Sequence, residues 1–210
     1  DGAWLDKTSA GSEPVVNPAN EEVIGHCPLA GTEELDRAAA AADLAFETWS
    51  RTPALERKKI LNRVADRLRS EVERIALQLT LEEGKPLAEA KGEILGAADI
   101  FEWYGDECVR LYGRIVPSRM PGLHHAVVRH PIGPVAGFSP WNFPALTPAR
   151  KIAGALAAGC TIIIKPSEET PATCILIAEA CQAAGVPKGV LNLVFGDPPA
   201  VSSHLVRHPS

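Results

Sequence analysis

Gly137-Phe138-Ser139-Pro140-Trp141-Asn142-Phe143-Pro144 and, one strand later, Lys165-Pro166-Ser167-Glu168 are the stretches whose reading decides the fold. Each lies where an extended apolar run gives way to a helical one. Pro134 to Ser139 reads as a strand before the first, and Thr161-Ile162-Ile163-Ile164-Lys165 as a strand before the second. An unbroken run of isoleucine belongs to a strand buried on both faces. Thr147 to Ala158 and Thr170 to Ala184 follow as helices, and Val190-Leu191-Asn192-Leu193-Val194 as a third strand. Strand and helix in alternation predict a parallel sheet with right-handed crossovers. In such a sheet ligands bind at the carboxyl edge of the strands, where both stretches fall. The Gly-x-Gly-x-x-Gly loop of ordinary Rossmann domains is missing after the first strand, so a phosphate group must be held elsewhere.

Upstream the grammar is helical. Asn17-Pro18-Ala19-Asn20 reads as a turn followed by a short strand from Glu22 to Cys27. Thr32 with Glu33 and Glu34 resembles an N-cap and an acidic first turn, and an alanine-rich helix continues through Trp49. From Pro53, Leu55, Ile60, Leu61, Val64 and Leu68 recur near a period of 3.6, which predicts a second amphipathic helix. A third runs from about Glu71 to a stop at Gly84, where Lys85-Pro86 prevents continuation. A fourth restarts near Leu87, carries Ile94, Ala97, Ala98 and Phe101 on one side, and is expected to reach Gly113. Ile115 to Pro131 reads as a hairpin leaving the main body, with alternation at His124-His125-Ala126-Val127-Val128-Arg129. His124, His125 and His130 have no cysteine or acidic partner at ligand spacing, so no metal site is expected.

A chain of 210 residues, 46% hydrophobic and 22% charged, is globular and can bury a substantial core. Its net charge of -5 is spread along the sequence, and without a basic stripe nucleic acid is excluded as an expected partner. No apolar run reaches the roughly 18 residues of a membrane span, and the first residues lack the pattern of a signal peptide; a cytoplasmic protein is expected. Cys27, Cys108, Cys160, Cys174 and Cys181 fit reduced, packed thiols better than disulfides or a zinc site. The chain opens without methionine and stops at His208-Pro209-Ser210, just where a further strand is due, so a fragment is expected.

In wording and spacing the two opening stretches resemble the nucleotide-binding half of the NAD(P)-dependent aldehyde dehydrogenase family, from about Asp1 to Ser210. The stretch from Arg150-Lys151 through Ala157-Ala158-Gly159-Cys160 resembles the succinate-semialdehyde dehydrogenases in particular. The resemblance implies an α/β fold, with a Rossmann-like parallel sheet, N-terminal helices and a β-hairpin oligomerisation arm, incomplete because the catalytic domain is absent. Residues 1–113 are then the entry strand and helices of the cofactor-binding domain, 114–131 the arm, and 132–210 the Rossmann-like half. It further implies a homodimer or homotetramer and oxidation of a small aldehyde, by way of a cysteine thiohemiacetal, to the acid. The nucleophile and its glutamate base belong to chain beyond these residues, as does the helix that holds the pyrophosphate. Two other readings stand beside it: a non-catalytic nucleotide-binding or assembly module, and a relative that passes the acyl group to coenzyme A.

The candidate site residues carry two readings each. The amide of Asn142 can donate to an oxygen gaining negative charge, its role in the family, or can cap the following helix. Trp141 and Phe143 read as core, although the family sets the former beside the nicotinamide. Lys165, at the end of a buried strand, needs a partner, and a ribose hydroxyl is one. Glu168 can accept from ribose hydroxyls while repelling a 2′-phosphate, which favours NAD over NADP, or can cap the helix beginning near Thr170 together with Ser167 and Glu169. Ser139, Pro140, Pro166 and Gly196 complete the cofactor-binding set that the resemblance implies. Arg150, on the helix behind Asn142, is either a surface arginine or the family's clamp for a substrate's distal carboxylate.

Overall fold

Two helices without a charge of their own at either end shape the centre of the molecule, and the elements around them supply what they lack. A computed structural model describes residues 2–209. In chain order the elements are β1 (Ser12–Val16), β2 (Val23–Pro28), α1 (Thr32–Trp49), α2 (Ala54–Ser70), α3 (Val72–Glu83), α4 (Leu87–Cys108), β3 (Arg114–Pro117), β4 (His124–Val127), β5 (Val135–Phe138), α5 (Leu146–Ala158), β6 (Ile162–Lys165), α6 (Pro171–Ala183), β7 (Leu191–Leu193) and α7 (Pro198–Arg207). The central sheet is parallel in the order β5-β6-β7, with Val135 opposite Ile162 and Ile162 opposite Leu191.

β6 is buried along its whole length, and its pleat sorts the isoleucines. Ile162 and Ile164 join one core with α5, α6 and the apolar stripes of α2, α3 and α4. Ile163 joins another with Leu35, Ala38, Ala39 and Ala42 of α1 and with Val201 and Leu205 of α7. The sheet is therefore covered on both faces, as its continuous apolar sequence requires.

Neither α5 nor α6 carries an acidic residue in its first turn, a basic residue in its last, or a side-chain N-cap. The main-chain groups left open at helix ends must still be satisfied. Glu93 of α4 accepts from the N–H groups of Ala145 and Leu146 at the start of α5, at 2.9 and 3.1 Å. Arg57 of α2 donates to Ala157 O near its end at 3.2 Å. Glu82 of α3 accepts from Ala172 and Thr173 at the start of α6, at 2.9 and 2.8 Å, and Arg63 donates to Ala184 O at its end at 2.9 Å. Carboxylates at the N-termini and guanidinium groups at the C-termini also oppose the helix dipoles with the favourable sign.

Two expectations are corrected. Thr32 is not the N-cap of α1: Gly31 is, and Glu34 reaches back to the Gly31 N–H at 2.8 Å while also holding Ser9. The fourth helix ends at Cys108 rather than Gly113, because residues 109–113 leave the core and turn into β3. A strand pairs with β2 that alternation did not reveal, β1, in antiparallel register with Ser12 opposite Pro28. The hairpin β3–β4 forms as expected and projects Ile115, Leu123 and Val127 into solvent.

Candidate active site

β5 stops at Phe138, and the Ser139 N–H continues its ladder by donating to Lys165 O at 3.1 Å. The Ser139 hydroxyl beyond it is buried and has no hydrogen-bond partner among the described residues. Pro140, Trp141, Asn142 and Phe143 then rise out of the sheet edge as an exposed turn. Trp141 and Phe143, expected in the core, are instead 55% and 43% exposed, because the turn stands at the edge rather than against a helix. Asn142 is exposed and does not cap α5; Ala145 occupies the cap position, and the capping is done by Glu93. With no capping role for its amide, Asn142 presents a neutral donor at the carboxyl end of β5.

The turn is tied down from behind. Lys85, in the linker between α3 and α4, donates to the main-chain carbonyl of Asn142 at 3.3 Å and lies 4.2 Å from the centre of the Phe143 ring. The same ammonium pairs with Glu93 at 2.5 Å and has Glu83 at 3.5 Å. Burial raises the Glu83 carboxyl above its ordinary range, an effect that Lys85 opposes. Gly84, at φ +84°, forms the left-handed end of α3 and turns the chain so that Lys85 faces inward.

At the end of β6, Lys165 finds its partner within the protein. Its Nζ lies 2.5 and 2.7 Å from the two oxygens of Glu168, both residues being buried. Glu168 also accepts from the Gly196 N–H at 2.9 Å, so it links the β6 edge to the loop after β7 rather than capping α6. A side chain at Gly196 would meet Ala30 O at 2.9 Å, and its φ of +156° further disfavours one. Pro166 and Ser167 are buried in the bend between Lys165 and Glu168. Ser139, the Lys165–Glu168 pair and Gly196 thus sit at the carboxyl ends of the three parallel strands, where an ammonium can donate to a sugar's hydroxyls, a carboxylate can accept from them and an unpaired hydroxyl can do either.

Arg150 is exposed on α5 beside Lys151, on the face opposite Ala149, Ile152 and Ala153. All five cysteines are free and buried. Burial pushes the thiols of Cys27 and Cys181 up to about 12, that of Cys174 further still, and raises Cys108. A thiol in such surroundings stays protonated and is a poor nucleophile. Sequence reasoning passed over Lys85, Glu93 and Glu82. A signal was present: Glu93 falls between Ala90 and Ala97 on the apolar stripe of α4, and Glu82 follows Ile75 and Leu79 on that of α3. A carboxylate on a buried stripe needs a polar partner.

Comparison with known proteins agrees with this architecture. The model of the aldehyde dehydrogenase family matches residues 4–210, and the chain belongs to that family. It is 43% identical over 209 residues to glutarate-semialdehyde dehydrogenase of Pseudomonas aeruginosa, covering 100% of this chain and 43% of that protein. It is 41% identical over 208 residues to an NADP-dependent succinate-semialdehyde dehydrogenase of Escherichia coli, covering 99% of this chain and 43% of the relative. The crystal structure of a succinate-semialdehyde dehydrogenase from Burkholderia pseudomallei superposes with a TM-score of 0.96 at 42% identity, over 99% of this chain and 43% of that one. The chain spans less than half the length of each of these relatives.

Proposed function

We propose that the full-length protein oxidises a small aldehyde to its carboxylic acid with a nicotinamide dinucleotide, and that these residues supply the cofactor-binding edge and one oxyanion donor. The observation that carries the reading is the Asn142 amide, exposed in the turn that follows β5, with the buried Lys165–Glu168 pair at the end of the neighbouring strand β6. A bound nicotinamide supplies the hydride acceptor. Lys165 and Glu168 would hold an adenosine ribose through its hydroxyls, with Ser139, Pro140, Trp141, Pro166, Ser167 and Gly196 shaping the edge around it. Asn142 donates to the aldehyde oxygen as the carbon becomes tetrahedral; such a donor is worth roughly 10²–10³-fold in rate. The attacking thiolate and the base belong outside these residues, since all five cysteines here are buried among packed side chains. In the assembled enzyme the β3–β4 hairpin pairs subunits into a dimer or tetramer, and the enzyme is cytoplasmic.

The substrate class follows from Arg150, whose guanidinium is exposed on the helix that begins behind Asn142. It suits a distal carboxylate, as in succinate semialdehyde or a homologue, and the two relatives named for semialdehydes favour the same class. Aldehyde-dependent reduction of the dinucleotide by the full-length protein tests the reading. An Arg150→Ala enzyme is expected to lose roughly 10- to 100-fold in kcat/KM on a semialdehyde, the worth of a charge-assisted hydrogen bond, and little on an uncharged aldehyde of similar length. Equal losses on both would refute the clamp. The cofactor is NAD: the Glu168 carboxylate repels a 2′-phosphate, so Glu168→Ser is expected to shift kcat/KM toward NADP. An unaltered preference would overturn that assignment.

A further inference from the structure

We infer that Lys85 and Glu93 are positioning residues for the Asn142 donor, an inference that rests on the oxyanion reading of Asn142. The geometry is a clamp with two jaws. Glu93 holds the C-terminal side of the turn through the N–H groups of Ala145 and Leu146. Lys85 holds the N-terminal side through the carbonyl of Asn142 and lies against the Phe143 ring. The jaws are joined by the Lys85–Glu93 ion pair, which is buried, with the side chains 11% and 3% exposed. All of these contacts fall on the main chain of residues 142–146 or on Phe143, and none of them uses the Asn142 amide. The backbone that carries the donor is fixed while its side chain remains available. A preorganised donor needs no reorganisation when charge develops, so its value in the transition state depends on what fixes it.

The apolar alternative would be simpler. Glu93 lies among Ala90, Ile94 and Ala97 on the buried face of α4, where a leucine would pack without needing a counter-ion. A buried ion pair is seldom the most stable choice at such a place, and fixing one arrangement is what it offers in exchange. Here that arrangement includes the turn that bears Asn142.

The test uses the full-length enzyme and a double-mutant cycle. Asn142→Ala is expected to lower kcat roughly 10²–10³-fold. Glu93→Gln keeps the shape and one acceptor but breaks the ion pair, and is expected to lower kcat about tenfold or more with little change in KM or in dinucleotide affinity, as for an interaction felt only in the transition state. Lys85→Met should do the same and stands in should Glu93→Gln fail to fold, which circular dichroism will show. In the Asn142→Ala background either change is expected to have little further effect on kcat, since the donor they orient is gone. An undiminished effect there, or a full kcat in folded Glu93→Gln and Lys85→Met enzymes beside a crippled Asn142→Ala enzyme, overturns the positioning inference alone. A full kcat in Asn142→Ala overturns the oxyanion reading and this inference with it.

Discussion

α5 and α6 pose the same problem and solve it in ways that differ at one point. Each is a 13-residue helix with no terminal charge of its own, lying between the sheet and the bundle of α2, α3 and α4, and each receives a glutamate at its N-terminus and an arginine at its C-terminus from that bundle. At α5 the glutamate is Glu93, and Lys85 neutralises it. At α6 it is Glu82, which accepts main-chain N–H groups and whose carboxyl burial raises above its ordinary value of 4.5, against the pull of those N–H groups. A carboxylate bound by N–H groups is enough to cap a helix. The lysine added at α5 reaches past the helix to the Asn142 carbonyl, so the two caps differ in what they hold. Glu82 seats a helix; Glu93 with Lys85 seats a helix and the turn before it.

The sharpest way to break the comparison is to remove each carboxylate and measure stability. Glu93→Ala strips two N–H groups of their acceptor and leaves a buried ammonium with Glu83, at 3.5 Å, as its remaining carboxylate among the described residues; loss of a buried pair's partner costs roughly 3–5 kcal/mol. Glu82→Ala also strips two N–H groups but removes a buried charge that has a solvation penalty of its own, and roughly 1–3 kcal/mol is expected. Denaturant midpoints of the two variants decide the order. Equal losses would mean that Lys85 adds nothing to the α5 cap, and a larger loss at Glu82 would reverse the account.

These charges also show where sequence reading reaches and where it stops. The parallel sheet is legible because Thr161 to Lys165 is too apolar for a strand with a wet face, and the helices because their apolar period is 3.6. Asn142, Lys165 and Glu168 are legible as candidates because each sits where a strand ends. Their partners are not: Lys165 reads as a partner for a ribose hydroxyl, yet Glu168 lies against it, since a carboxylate three residues on returns to the same strand end. Lys85 reads from sequence as part of a helix stop, and only the fold brings it within reach of residue 142, 57 positions away. Contacts between bundle and sheet edge have no local pattern. Their trace is a charge on an otherwise apolar stripe, as at Glu82, Glu93 and Arg57.

The smallest effect separates the caps by pH. Because burial raises the Glu82 carboxyl in the folded state, the native protein keeps this proton at pH values where the unfolded chain has already released it. The stability Glu82 contributes is therefore fully present below its unfolded value, near 4.5, and is lost as pH rises through the raised folded value. Glu82→Gln cannot titrate and removes that slope. Urea midpoints for wild type and variant, measured from about pH 4 upward, are expected to shift in the variant's favour as pH rises, by up to about 1.4 kcal/mol for each pH unit within the window. Its amide still offers one oxygen to Ala172 or Thr173, so the helix stays seated. Parallel midpoint curves would show that the α6 carboxylate ionises as easily as one in water, and the contrast between a neutralised cap at α5 and an unaided one at α6 would fall.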